Sequence, residues 1–396
     1  MTKFPLSANE ELSKKLQEIR AHLHANPELS FQETNTAKFI SHCLTEWNIE
    51  HQTHIAGNGI MGCVFSGKQG PVIGLRADMD ALPIHELNIS PYTSNKPGIM
   101  HACGHDVHMT CLLGALYLLN QNKHLWKGTL KFIFQPAEEV LPGGAVAMID
   151  AGALINPSPN ILIALHVYPE LPVGNVGFRP GAYMASTDEL HVSIHGTGGH
   201  AALPHKLTNP VLAAAELILR WNQIPSQAPE AVQSVLSVGR IEALGATNVI
   251  PPLATLKGTF RTIHEDWRNE AHQIIERYTH EVAQKHKVEI NLEIKKGYPS
   301  LHNHPEFTKR AETYCQKWMD NQQVHPLEIR MTAEDFAWYG AHLPIVFFRL
   351  GTAGPENAYA FPVHHPKFDV DPKSIPLGAS ILASLAVQFS SDLPSS

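Results

Sequence analysis

Charge is what this chain is short of: 17% of its 396 residues are charged, and the formal balance is −7 at neutral pH. No lysine- or arginine-rich cluster stands out, which excludes a surface built to neutralise nucleic-acid phosphates. Long apolar runs are missing as well. No stretch approaches the roughly 18 apolar residues of a membrane span, and Met1 to Glu11 carries no run of signal-peptide length. Cysteine is sparse: Cys43, Cys63, Cys103, Cys111 and Cys315 make an odd, scattered set of five with no framework spacing. The expectation is a reduced, cytoplasmic chain. Internal repeats and low-complexity segments are also absent.

What is present is an ordinary hydrophobic content of 43% and enough length for two or three domains. Ser7 and Glu10 have capping-box spacing ahead of a helical stripe of Leu12, Leu16, Ile19 and Leu23. Apolar strand patterns follow at Val72 to Leu75, Thr129 to Phe134 and Ile161 to Leu165, with a buried-helix pattern at Met109 to Asn120 between the first two. Strands alternating with helices predict an α/β domain, its central, mostly parallel sheet flanked by helices. Near Gly174 to Pro180 the texture changes. Two amphipathic helices (Pro210 to Trp221 and a segment after Asp266) and about four strands then predict a smaller α+β insert at 179–296. The α/β pattern resumes afterwards, so the larger domain is discontinuous, 1–178 and 297–396.

Of the 25 histidines, three crowd into Met100 to His108 with Cys103 and Asp106. Imidazole and thiolate suit borderline divalent metals, and Gly104 permits a sharp turn between Cys103 and His105. Asp78, Glu138, Glu139 and His166 each follow a strand, where chemistry gathers in such sheets. With a histidine from the His364-His365 pair, these residues could hold two divalent ions. Glu138 and Glu139 point opposite ways if the strand continues, so one carboxylate can bind metal while the other serves as general base. Two other readings stay open: Cys103 as a metal-free nucleophile activated by His105, and a non-catalytic metal-binding scaffold.

Arg76 to Pro83, His101 to His108, Phe132 to Glu139 and Gly198 to His205 together resemble the metal-dependent N-acyl-amino-acid amidohydrolases, a family that includes hippurate hydrolases, aminoacylases and plant auxin-conjugate hydrolases. Further matches lie at His24 to Phe31, Asn248 to Pro251, Ala333 to Phe336 and His364 to Phe368, and the resemblance runs from about Ile19 to Asp371. It implies a hydrolase that cleaves N-acyl-L-amino acids into a carboxylate and a free amino acid. N-acetyl-diaminopimelate deacetylase or dipeptidase activity is the alternative within the family. It further implies two divalent ions, manganese, zinc, cobalt or nickel, bridged by Cys103. His105 and His166 would stand on one side, Glu139 and His364 on the other. Glu138 would be the general base, and Asp78 would orient a ligand from behind. The family motif usually reads His-Ser-Pro where this chain has His364-His365-Pro366, which leaves the choice of histidine open. The insert resembles the family's lid and dimerisation domain. There His200 would reach the substrate carbonyl, from either its own or a partner subunit, and Asn248 and Arg261 would grip the substrate carboxylate. The expected partners are a small-molecule substrate and a second copy of the chain, with no nucleic acid and no membrane.

Overall fold

A computed structural model describes residues 4–355, 359 and 361–394, so the outermost residues of the two catalytic spans lie outside it. The chain divides into two compact units, the first made of Met1–Gly181, His302–Glu328 and Trp338–Ser396.

That first unit is built on an eight-stranded sheet. In spatial order its strands are His51–Ile55, Gly59–Phe65, Thr129–Gln135, Val72–Asp78, Ile161–Pro172, Ile345–Ala353, Val176–Phe178 and Val324–Pro326. The four central strands are mutually parallel, and Val72–Asp78 and Ile345–Ala353 are buried along their whole length. Burial on both faces is why Val72 to Leu75 reads as a continuous apolar run instead of an alternating one. The helices His105–Gln121 and Ser374–Asp392 share the core with this sheet. Ser374–Asp392 is long and apolar enough to cross a membrane by composition, but 78% of that window is buried within the protein, which makes it a core helix. At the N-terminus the cap is Asn9, whose side chain accepts the Leu12 N–H at 2.8 Å, and not Ser7.

The second unit comprises Ala182–Leu301 and Ile329–Ala337. Its antiparallel sheet runs Ser234–Glu242, Leu253–Thr262, Asp188–His195, Glu289–Lys296, with helices Pro210–Trp221 and Glu265–His286 packed on it. Asp188–His195 alternates buried and exposed positions, as a sheet covered on one face requires. The second helix starts at Glu265, which puts Asp266 inside its first turn and not ahead of it. This unit also takes in 329–337, beyond the 179–296 span read from sequence. Backbone bonding explains the addition: Ala185 N–H donates to the carbonyls of Arg330 and Thr332, and Arg330 N–H to that of Tyr183.

Candidate active site

The site of the first unit lies where its parallel strands end. Asp78 and Gln135 are register partners on neighbouring strands, so the turns carrying Asp80 and Glu138-Glu139 leave the sheet at the same level. The helix that reads as Met109 to Asn120 in sequence begins earlier, at His105. Gly104 precedes it at φ +81, where a Cβ would lie 2.5 Å from the Val167 side chain. Only glycine turns the chain there without a clash, and the turn delivers Cys103 and His105 to one point.

The Sγ of Cys103 and ring nitrogens of His105 and His166 all lie within 4.8 Å of one another, and Cys103 forms a second such set with Glu139 and His364. Cys103 is therefore common to two donor groups. Cys103 Sγ is 3.5 Å from His166 Nε2, while His166 Nδ1 donates to the Val167 carbonyl at 2.8 Å. That bond leaves the Nε2 lone pair facing the sulfur. His105 is oriented likewise, its Nδ1 standing 3.2 Å from Asp80 Oδ1. Its Nε2 and the Glu139 Oε1 are buried without a well-aligned hydrogen bond among the described residues; they stand 3.9 Å apart, and His364 Nε2 lies 3.2 Å from the same oxygen. Donor atoms crowded together in a buried, thiol-containing cluster fit a bound cation.

Electrostatics agree. Burial pulls the His105 pKa down, but the Asp78 charge and bonds to Asp80 and Cys103 carry it well above the ordinary value. His364 is pushed up to about 10 by its bonds to Cys103 and Glu139. Without an ion, protons compensate the excess anionic character of the cluster. His166 lies the other way, held well below its usual value by burial and Arg349, and so is neutral as a metal ligand must be. Burial and Glu139 raise the Cys103 thiol, the reverse of what activates a cysteine nucleophile.

Of the two candidate histidines, His364 stands at the site, its Nε2 3.2 Å from Glu139 Oε1. His365 stacks on Phe361 at 4.5 Å and accepts the Lys367 N–H. Asp78 does not bond a member of the cluster; it lies 3.8 Å from His105 Nδ1 and accepts from His108 Nδ1 at 2.6 Å and Arg76 Nη1 at 2.6 Å. His108 Nε2 in turn accepts the Val167 N–H at 3.0 Å, so Asp78 reaches His166 only through the neighbouring backbone.

The carboxylate that does the direct work is Asp80, to which the sequence reading gave no role. It accepts from His105 Nδ1 at 3.2 Å, Ser30 Oγ at 2.6 Å and the backbone N–H of Glu138 and Glu139, each at 3.0 Å. Ala137 N–H, one residue earlier, donates to Glu33 at 2.8 Å. Three successive amides before and at the paired acids are thus fixed by two buried carboxylates. The spacing of Asp78 and Asp80, two residues apart at a strand end, was the one available signal.

In the second unit, His200 pairs with Val249 in a two-stranded ribbon; its side chain is exposed and its Nδ1 accepts the Ala202 N–H at 3.1 Å. Asn248 adjoins it, accepting the Ala201 N–H through its carbonyl at 3.0 Å. Arg261, half-buried, donates to the Met331 carbonyl at 3.2 Å and makes no ion pair among the described residues.

Residues 74–388 match the model of peptidase family M20/M25/M40. The chain belongs to this family. It is 38% identical over 365 residues to an N-acetyl-L-cysteine deacetylase of Bacillus subtilis (strain 168), over 92% of this chain and 85% of that protein. To an N-acetyldiaminopimelate deacetylase of Lactobacillus acidophilus it is 34% identical over 382 residues, 94% of this chain and 97% of the relative. Among solved structures, a Bacillus subtilis dinuclear metal-binding peptidase of the M20 family superposes with a TM-score of 0.82 at 32% identity, covering 97% of this chain and 100% of that one. The protein is accordingly a metal-binding amidohydrolase of the α/β class, acting on small-molecule substrates.

Proposed function

We propose that the enzyme hydrolyses the amide bond of N-acyl-L-amino acids, with Glu138 as general base. The observation that carries this is the pair Glu138-Glu139 on one clamped turn, with Glu139 inside a donor set that shares Cys103 with His105 and His166. His105 and His166 on one side and Glu139 and His364 on the other, with Cys103 between them, would hold two divalent ions. Manganese, zinc, cobalt and nickel all suit a set that mixes thiolate, imidazole and carboxylate. When bound, such ions polarise the amide carbonyl and acidify the attacking water toward neutrality. Glu138 takes a proton from that water and returns it to the amine nitrogen as the C–N bond breaks. The products are a carboxylate and a free amino acid. His200 steadies the oxyanion, and Asn248 and Arg261 bind the substrate carboxylate, a pairing in which arginine's fork is effective.

The relatives named as N-acetylcysteine and N-acetyldiaminopimelate deacetylases support N-acetyl compounds as the first substrates to try, diaminopimelate included. We further propose a cytoplasmic homodimer paired through the second unit. Its edge strand Ser234–Glu242 and the exposed Leu212 and Leu219 on helix Pro210–Trp221 leave surface for a second copy.

The test is a contrast between adjacent acids on a panel of N-acetyl-, benzoyl- and indole-acetyl-amino acids. Glu138→Gln is expected to retain metal and lose about 10²–10⁴ in turnover, whereas Glu139→Gln loses metal itself. Equal metal loss in both variants, or a near-normal rate in Glu138→Gln, refutes the assignment.

A further inference from the structure

Glu33 sits at the N-cap of helix Thr34–Glu46 but makes no cap hydrogen bond there. The capping is done by Glu28, whose Oε2 accepts the N–H of Asn35 at 2.8 Å and of Thr36 at 2.9 Å. Glu33 instead turns away from its own helix. It is fully buried, and its Oε1 accepts two backbone amides, Phe31 at 3.0 Å and Ala137 at 2.8 Å; its Oε2 accepts from Asn58 Nδ2 at 3.2 Å. A carboxylate taken out of water and spent on another segment's backbone calls for a reason beyond local helix chemistry.

The reason lies in Ala137. Its φ is +56, in the left-handed region that a residue with a Cβ avoids. Gly144 N–H donates to the Ala137 carbonyl at 2.8 Å, which closes the turn from the other side. The next residue is Glu138, and its direction depends on the backbone rotation at Ala137. Released from Glu33, Ala137 would relax toward the right-handed or extended regions and re-aim the carboxylate that follows.

We infer that Glu33 is a positioning residue for the amide-hydrolysing reaction, holding the Ala137 peptide in its left-handed turn so that the Glu138 carboxylate is correctly aimed. The inference rests on the proposed role of Glu138. Glu33 itself touches no substrate. Asp80 fixes the amides of Glu138 and Glu139 but leaves the Ala137 N–H alone, so the task at Ala137 falls to Glu33.

The experiment compares Glu33→Ala and Glu33→Gln in the full-length, metal-loaded enzyme. Glutamine keeps an oxygen at the Oε1 position for both amides, and the half-buried Asn58 amide can turn its oxygen to meet the new NH2 at the cost of its own bond to the Phe31 carbonyl, 3.1 Å long. Expected for Glu33→Ala is a kcat lower by about 10- to 100-fold with KM little changed, since a small misplacement of a reacting group costs that much. Metal content stays that of the wild type, and hydrogen-exchange protection falls in the peptide spanning Gln135 to Glu139. Glu33→Gln is expected to restore both kcat and protection. Where the alanine variant yields no folded protein, Glu33→Asp, which keeps the charge and loses reach, is expected to show the same loss. The inference is overturned if protection at 135–139 survives in Glu33→Ala or Glu33→Asp, if kcat survives there, or if Glu33→Gln is as impaired as they are. Glu138→Gln in the same assay separates the two claims. A fast Glu138→Gln enzyme removes the general base, while the exchange measurement still decides whether Glu33 holds the turn.

Discussion

Asp80→Asn tests the architecture of the site more sharply than removal of any proposed metal ligand. The carboxylate receives four donors, His105 Nδ1 and the Glu138 N–H on Oδ1, Ser30 Oγ and the Glu139 N–H on Oδ2. An amide has one oxygen and one NH2 for the same four. With its oxygen at the Oδ1 position, His105 and Glu138 keep their acceptor, and the Ser30 hydroxyl can rotate to accept from the NH2. The Glu139 N–H cannot rotate, and it is left facing another donor. In the opposite orientation His105 would have to carry its proton on Nε2, the nitrogen the cation needs. The first orientation is cheaper, at about 1–3 kcal/mol for one orphaned buried amide. The metal-free protein should therefore melt about 1–4 °C lower. Loss of the anion behind His105 should also weaken metal binding by about 10- to 100-fold. Calorimetric metal titration and thermal melts of chelated protein read the two effects separately. Wild-type metal affinity together with an unchanged Tm would show that Asp80 neither orients His105 nor holds the Glu139 turn.

Asp106→Asn strips the partner from Arg20 and His24, which lie 2.8 Å from its Oδ2 in the core; Asp369 still pairs with Arg20, so the cost falls near about 3 kcal/mol, and a melt within a degree of wild type counts against it. The pKa of His24 is pulled down by burial and by Arg20 but raised overall by Asp106 and Glu86. Its contribution is thus complete below about pH 6.5 and is lost as pH rises through the folded pKa; melts of chelated protein from pH 6 to 9 should decline more steeply in wild type than in His24→Asn, and parallel curves would refute it. For the proposed dimer, inactive His200→Ala and Glu138→Gln chains should regain part of the activity when mixed and allowed to exchange subunits. No recovery after demonstrated exchange would leave His200 acting within its own chain or not at all.

How much of this was legible in the sequence depended on whether local chemistry decided the outcome. The central strands at Val72 and Ile161 announce themselves because burial on both faces leaves Val72 to Leu75 and Ile161 to Leu165 without a polar position to interrupt the run. The donor-rich turn at Cys103 is legible because few other structures need a thiol and two imidazoles so close. Asp80 was not, because nothing in a run containing two aspartates says which one will face His105; the distant turn at Glu138 and the start of the helix decide that. The Ile161 strand runs past His166 to Pro172, sustained by pairing with Ile345–Ala353 that the Pro169 and Pro172 punctuation hides. The segment 329–337 was invisible for a related reason: it joins the second unit through a few backbone bonds and has no periodic pattern of its own.

Backbone bonding brings His364 and not His365 to the donor cluster, and the same device recurs across the site. His364 has φ +66 and its N–H donates to the Ala102 carbonyl at 2.7 Å, next to Cys103. Ala137 has φ +56 and donates to Glu33. Both are left-handed residues other than glycine, each costing about 1–3 kcal/mol, and each is held by a hydrogen bond from its own amide. Glycine would take either conformation without strain, but at 364 it would forfeit the imidazole, and at 137 it would free the peptide ahead of Glu138. The strain at these two points is therefore spent on direction. One bond ties the His364 turn to the segment carrying Cys103, the other ties the Glu138 turn to Glu33, and the two donor sets meet at a shared sulfur because both turns are held against their local preference.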